Sequence, residues 1–149
     1  MIRPFLVAAM LAAGTGGAVA DGAQVYDTHC AFCHQSGGVG VPGQFPRLAG
    51  RVGVIASKPE GKAFLSKVLF NGMSGRITAD GEPVLGVMPP FETLSDDDIA
   101  AVLTYLSGLD HAPVTITARE IGEARAQPRL SPAEIMAQRT ALSDRKIVP

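Results

Sequence analysis

The stretch Cys30-Ala31-Phe32-Cys33-His34 decides the fold of this 149-residue chain. Cys-x-x-Cys-His is the attachment pattern for haem c, in which the two thiols bond covalently to the two vinyl groups of one porphyrin. The adjacent histidine is then placed to ligate the iron from one face. We therefore predict one covalently bound haem c, attached through Cys30 and Cys33, with His34 as an iron ligand.

Two other uses of a Cys-x-x-Cys pair fit this sequence less well. A thioredoxin-like redox pair occurs near a strand–helix–strand pattern, and the chain has no such alternation. A structural zinc site needs further Cys or His ligands. Besides His34 the sequence offers only His29 and His111, and it has no second pair of cysteines. Haem attachment is therefore the interpretation that we adopt.

The amino terminus has the pattern of a secretory signal peptide. Arg3 supplies a short positive region, an apolar run covers residues 5–13, and Ala18-Val19-Ala20 is typical of a cleavage site. The apolar run is shorter than the roughly twenty residues that a membrane-spanning helix needs, and an uncleaved anchor is the alternative. We predict a signal peptide over residues 1–20, cleaved after Ala20, export to the periplasm, and no membrane span after cleavage.

The composition indicates one small domain that is poor in large core residues. Without the predicted signal peptide 129 residues remain, which is the size of one domain with an appendage. The sequence has no Trp, two Tyr and six Phe. A buried porphyrin would therefore supply much of the hydrophobic core.

The charge is distributed unevenly along the chain. Residues 21–110 carry six Lys and Arg against ten Asp and Glu, a net charge of −4, whereas residues 111–149 carry six against four, a net charge of +2. There is no basic run with interleaved aromatic residues, so we do not expect a nucleic-acid partner.

Helical periodicity predicts three helices before residue 110, over about residues 23–33, 58–70 and 95–107. Ser57 is the expected N-cap of the second helix, and Ser95 with Asp98 forms a capping box at the start of the third. Gly72 and Gly108 are expected to end these two helices.

The segments between these helices are expected to be irregular. A Gly-rich loop covers residues 35–43, and residues 45–51 continue as chain that wraps the haem edge. Residues 72–86 are rich in Gly and polar residues and contain Asp80-Gly81, a hairpin-type turn signal. Residues 87–90 suit neither a helix nor a central strand, because Pro removes backbone donors and fixes φ.

Met88 is the expected sixth ligand of the iron. A thioether has no proton to lose and favours Fe(II), so a His/Met pair raises the reduction potential and fills both axial positions. Pro89 and Pro90 stiffen the loop that must hold this weak ligand. The alternatives are that Met88 is core filling or that Met73 is the ligand. Met73 is expected in a mobile loop, and Met136 on a distant helix.

The first cysteine of the haem motif and several positions outside the motif carry a family resemblance. They are Gly22, Tyr26, Cys30, Val102 and Tyr105. With them, residues 22–108 resemble a class I cytochrome c. The resemblance implies a mostly α-helical, cytochrome c-like fold around one covalent haem, with the first helix packed across the last through the glycine and the aromatic residues.

The resemblance also implies further haem contacts. The Pro46 carbonyl would accept the other ring proton of His34, which orients the ring and increases its donor strength. Arg51, with Arg47 near it, is a candidate partner for a haem propionate, and an ordinary solvated arginine is the alternative. Residues 70–96 resemble bacterial cytochrome domains that serve periplasmic dehydrogenases and oxidases.

Residues 111–149 extend beyond the minimal family pattern. Thr117 and Glu120 predict a capping box for a short helix, which Pro128 interrupts, and a second capping box begins at Ser131. The extension either packs on the haem domain, residues 21–110, as a strap or docks on a partner. We expect the strap, because two capped helices with apolar faces left in water would promote aggregation.

Together these patterns predict a periplasmic single-electron carrier with one haem c and His/Met axial ligation, and not an enzyme in its own right. The expected partners are redox proteins, namely a periplasmic dehydrogenase, an oxidase or a membrane cytochrome complex. The first alternative is a fixed electron-transfer subunit of a periplasmic dehydrogenase complex. The second is a haem enzyme or gas sensor with an open iron position.

Overall fold

The computed structural model describes residues 20–109 and 113–149. The predicted signal peptide, except for Ala20, lies outside the described residues, as does the junction between residues 110 and 111. The helices are α1 (Gly22–His29), α2 (Ala31–His34), α3 (Val52–Ala56), α4 (Pro59–Asn71), α5 (Asp96–Gly108), α6 (Ala118–Arg125) and α7 (Pro132–Asp144), with a 3-10 turn at Ser36–Gly38. One antiparallel hairpin joins β1 (Met73–Ala79) to β2 (Glu82–Met88). The expected mostly α-helical fold is confirmed.

The crossing of α1 over α5 is the centre of the core. A Cβ on Gly22 would run into the backbone carbonyl of Ala101, so only glycine allows the two helices to come this close. Tyr26 is fully buried, and its ring centroid lies 5.7 Å from that of Tyr105. The Tyr26 hydroxyl donates to the carbonyl oxygen of Gln35 at 2.5 Å. The first and last helices of the haem domain thus pack as the resemblance implied.

The first helix is interrupted at Cys30, where the prediction had one continuous helix over residues 23–33. Cys30 has φ −119° with ψ −35°, a φ more extended than that of a regular helical residue, and separates α1 from α2. Its carbonyl still accepts hydrogen bonds from the backbone N–H groups of Cys33 and His34. The haem motif therefore forms its own short helical turn.

The predicted cap of α4 was wrong. Lys58, not Ser57, precedes the helix, and its backbone is extended with φ −110° and ψ 138°. Pro59 explains the difference, because proline disfavours a helical residue before it and suits the first helical position itself. Ser57 instead ends α3, where its hydroxyl donates to the Val54 carbonyl at 2.7 Å.

The hairpin replaces the irregular segment that the sequence predicted after α4. Its turn is the expected Asp80-Gly81, with φ 53° and 82°. In the register of the two strands Met73 pairs with Met88, so the prediction of a mobile loop at Met73 was wrong. A two-stranded hairpin has only edge strands, which is why it accommodates Pro83.

The extension shares the core of the haem domain. Ile121 of α6 is fully buried in the cluster that contains Tyr26. Ile135 of α7 is also fully buried, in a second cluster with Phe64 and Val68 of α4. Both predicted capping boxes are present at the starts of α6 and α7. The extension therefore lies on the haem domain in the strap arrangement.

The packing of α7 predicts a large effect of Ile135→Ala. We expect the haem-loaded variant to lose about 2–5 kcal/mol of unfolding free energy, because the substitution leaves a cavity in the second cluster. Denaturant unfolding, followed by far-ultraviolet circular dichroism, measures this loss. Thr140→Ala, at an exposed position of the same helix, should change stability by no more than about 0.5 kcal/mol. Equal stabilities for the two variants would show that α7 does not pack on α4.

Candidate haem-binding site

The site is an apolar cavity of about 320 Å³ that the haem motif, the hairpin, α5 and α7 enclose. Most of its lining is aliphatic, aromatic or sulfur-containing, including Leu103 and Leu106 of α5 and Ile77 and Val84 of the hairpin. A cavity of this size and character suits a large apolar cofactor.

His34 enters the cavity with its ring already oriented. The side chain is buried, and its Nδ1 lies 2.8 Å from the carbonyl oxygen of Pro46. A carbonyl can only accept, so Nδ1 carries the proton and Nε2 keeps a free lone pair. Burial lowers the pKa of His34, which favours the neutral ring that a metal ligand must be. Pro46 therefore lies where the resemblance implied.

The two cysteines line the same cavity and are free thiols. Burial, with the nearby Cys33, raises the pKa of Cys30 to about 11, so this thiol is protonated at neutral pH. Phe32, between the cysteines, is 92% exposed. The motif thus places its two thiols and its imidazole in the cavity lining and leaves Phe32 largely in solvent at the edge of the cavity.

The hairpin contributes two thioethers to the cavity wall, those of Met73 and Met88. The two residues are directly paired across the strands, so their side chains lie on the same face of the hairpin. Both methionines pack against the second cluster. Met88 also packs against the core cluster that contains Tyr26, whereas Met73 also packs against Ile77 and its neighbours.

The end of β2 is closely held. A Cβ on Gly72 would stand 2.7 Å from the carbonyl oxygen of Met88, so the chain before β1 touches the chain after β2. Three residues beyond Met88, the backbone N–H of Phe91 donates to the Leu69 carbonyl at 2.7 Å. Met88 is therefore anchored on both sides, by the strand pairing before it and by α4 after it.

Met136 is the lining residue that the sequence analysis placed wrongly. It was expected on a distant helix, yet α7 brings its side chain into the cavity wall. Sequence spacing carries no signal for this contact, because it depends on how the extension folds back. Ile77 and Val84 were also missed, although Met73, Gly75, Ile77 and Ala79 alternate in a way that indicates one face of a strand.

The two arginines proposed for propionates lie outside the cavity lining. Arg51 is buried, and its guanidinium donates to Asp80 at 3.2 Å and to the carbonyl of Pro149. Arg47 donates to the same carboxyl, at 2.8 Å from the Asp80 oxygen that Arg51 also contacts, and lowers the pKa of that carboxyl. Their described contacts hold the turn, and a propionate role for Arg51 stays a prediction.

The residues present fit a haem. One wall offers two thiols and a neutral imidazole with a free nitrogen, and the hairpin wall offers thioethers, which are suitable ligands for haem iron. Gly86 also lines the cavity, and a Cβ built on it would meet no other atom within 4 Å. The hairpin wall is thus open at Gly86, which leaves room in the cavity at that position.

Comparison with known proteins agrees with this geometry. Residues 17–106 match the family described as cytochrome c oxidase, cbb3-type, subunit III. The chain belongs to the class I c-type cytochromes. Cytochrome c-552 of Thermus thermophilus is 41% identical over 143 residues, which cover 92% of this chain and 95% of the relative.

Two other relatives are cytochrome subunits of dehydrogenases, and the match covers less than a quarter of each subunit. The cytochrome c subunit of alcohol dehydrogenase (quinone) from Gluconobacter oxydans is 35% identical over 113 residues, 74% of this cytochrome and 23% of the subunit. The fructose dehydrogenase cytochrome subunit from Gluconobacter japonicus is 32% identical over 114 residues, 71% of this cytochrome and 22% of the subunit.

Family membership confirms haem c as the cofactor and electron transfer as the function. When bound, the haem supplies an iron couple that exchanges single electrons. Cys30 and Cys33 would hold the haem, beside the oriented ring of His34, and the apolar lining of the cavity would exclude water from it. Within residues 20–109 and 113–149, no helix has the length and apolar character of a membrane span.

Attachment through the motif predicts that Cys30→Ala combined with Cys33→Ala abolishes covalent haem. Haem staining on a denaturing gel measures it, since only a thioether-linked haem stays with the unfolded chain. Phe32→Ala is the matched control. Phe32 lies at the exposed edge of the cavity and supplies neither a thiol nor an iron ligand, so its variant should stain like the wild type. Staining of the double variant would refute the attachment.

Proposed function

We propose that this cytochrome is a periplasmic single-electron carrier whose iron takes His34 and Met88 as axial ligands. The observation that carries the proposal is that one apolar cavity contains both the oriented imidazole of His34 and the anchored thioether of Met88. Two protein ligands leave no open iron position, which suits electron transfer and disfavours a haem enzyme or a gas sensor.

Two observations favour Met88 over Met73 as the ligand. Met88 packs against the central cluster around the α1–α5 crossing, and Met73 does not belong to that cluster. The backbone beyond Met88 is held by Pro89, Pro90 and the hydrogen bond from Phe91 to α4. A weak thioether ligand needs such a backbone, because any local opening competes with its bond to iron.

The surroundings of the two ligands determine whether the reduction potential is raised or lowered. The hydrogen bond to Pro46 makes the His34 ring a better donor, while the neutral thioether and the apolar lining favour the less charged Fe(II) state. We expect the Met88 thioether and the low polarity of the cavity to give this carrier a raised potential, as in other His/Met cytochromes.

The secretory pattern of residues 1–20 supports a periplasmic location. The match to nearly the whole length of cytochrome c-552 supports a carrier that acts as a separate protein. The two dehydrogenase cytochrome subunits support a dehydrogenase as one of its redox partners. They also supply the alternative, in which this chain is a fixed electron-transfer subunit of such a complex.

Axial ligation is tested with a pair of methionine variants of the haem-loaded protein. Met88→Ala should remove the methionine-to-iron absorption band, lower the reduction potential and allow carbon monoxide to bind the ferrous iron at neutral pH. Met73→Ala, which removes the same side chain from the paired position, should leave the band and the potential as in the wild type. If Met73→Ala lost the band and Met88→Ala kept it, Met73 and not Met88 would be the iron ligand.

The salt dependence of electron transfer distinguishes a mobile carrier from a fixed subunit. Because residues 21–110 carry a net charge of −4, electron transfer with a positively charged redox protein should slow as salt rises. The screening length falls from about 30 Å at 0.01 M to about 10 Å at 0.1 M ionic strength. Stopped-flow rates measure the effect. A rate that stays constant over this range, with co-purification of a dehydrogenase, would favour the fixed subunit.

A further inference from the structure

Met136 touches the hairpin at a position that only glycine can occupy. Its Cε lies 3.0 Å from the place where a Cβ on Gly75 would stand, and it also lines the haem cavity. Gly75 has φ 131°, a backbone conformation that residues with a Cβ rarely adopt. The methyl group of Met136 therefore packs directly over the backbone of β1.

A second contact fixes the same helix face to the same strand. Arg139, three residues after Met136, donates from its guanidinium to the carbonyl oxygen of Thr78 at 3.0 Å. Only 9% of Arg139 is exposed. The neighbouring Ile135 is fully buried in the cluster that contains Phe64 and Val68 of α4, and so fixes α7 to α4. Helix α7 thus joins β1 to α4.

The contacts that hold β1 against α7 also hold Met88 in place. The register pairs Met73 of β1 with Met88 of β2, so a shift of β1 away from α7 would carry the end of β2 with it. An isolated two-stranded hairpin is at best marginally stable in water, and this one needs packing from outside. On one face, the cluster of Ile77, Ala79 and Val84 packs against Met73 of the hairpin itself and receives packing from outside through Met136 of α7.

We propose that Met136 is a positioning residue of the haem site, which keeps the hairpin closed over the haem and thereby keeps Met88 on the iron. The inference rests on the proposed ligation by Met88. It assigns a role in the site to the extension, since Met136 lies beyond residues 17–106 that match the family.

The experiment measures how often Met88 leaves the iron. Imidazole in excess is mixed with the oxidised, haem-loaded protein, and the loss of the methionine-to-iron band gives the rate at which the site opens. Met136→Ala should raise this limiting rate about tenfold, which corresponds to about 1.4 kcal/mol, part of the usual cost of a large-to-small substitution. Met136→Val should give an intermediate rate, and Met136→Leu, which restores the volume, should be close to the wild type.

Leu142→Ala is the matched control. Leu142 lies on the same helix and is buried in the second cluster, but it does not line the cavity. Its variant should unfold more easily, yet should exchange imidazole at the wild-type rate under native conditions. An unchanged rate in Met136→Ala, or an equal acceleration in Leu142→Ala, overturns the inference.

These outcomes are separate from a failure of the proposed ligation. Suppose that the wild type shows the methionine band, that Met88→Ala loses it, and that the Met136 variants exchange imidazole at the wild-type rate. Then the ligation by Met88 stands and the positioning role alone is wrong. If the wild type lacks the band and Met88→Ala leaves its spectrum unchanged, the ligation by Met88 is wrong and the positioning role falls with it.

Discussion

The hydrogen bond between His34 Nδ1 and the Pro46 carbonyl, 2.8 Å long, is the contact on which the rest of the site depends. It sets the tautomer of a buried imidazole and directs the free nitrogen into the cavity. It also ties the haem motif to the loop that follows it. The α1–α5 crossing then places the motif, because Gly22 lets the two helices approach closely and the buried Tyr26 packs between them.

The remaining elements close the cavity around that ring. The hairpin supplies a wall of small and sulfur-containing residues, and α7 packs over the hairpin from outside the region that matches the family. This arrangement explains how a chain with no Trp and few other aromatic residues encloses a large cofactor. The extension adds the covering that a short haem domain lacks.

The features that could be predicted from the sequence are those in which neighbouring residues carry the whole signal. The haem motif, the Asp80-Gly81 turn and the capping boxes at Ser95, Thr117 and Ser131 are of this kind. The strands of the hairpin could not be predicted as easily, because two glycines and Pro83 interrupt the β-forming residues. Met136 could not be placed at all, since its contact with Gly75 depends on packing across 61 positions of the chain.

The central claim is that the iron keeps an imidazole and a thioether through the redox cycle, so that an electron moves without a change of ligands. X-ray absorption at the iron edge of the purified protein tests it most directly, in both oxidation states. We predict the porphyrin nitrogens, one imidazole nitrogen and a single sulfur around the iron in each state, with nearly unchanged distances. The claim would be contradicted if the coordination shell of the iron lacked sulfur in the oxidised or the reduced state, or if the sulfur were lost on reduction.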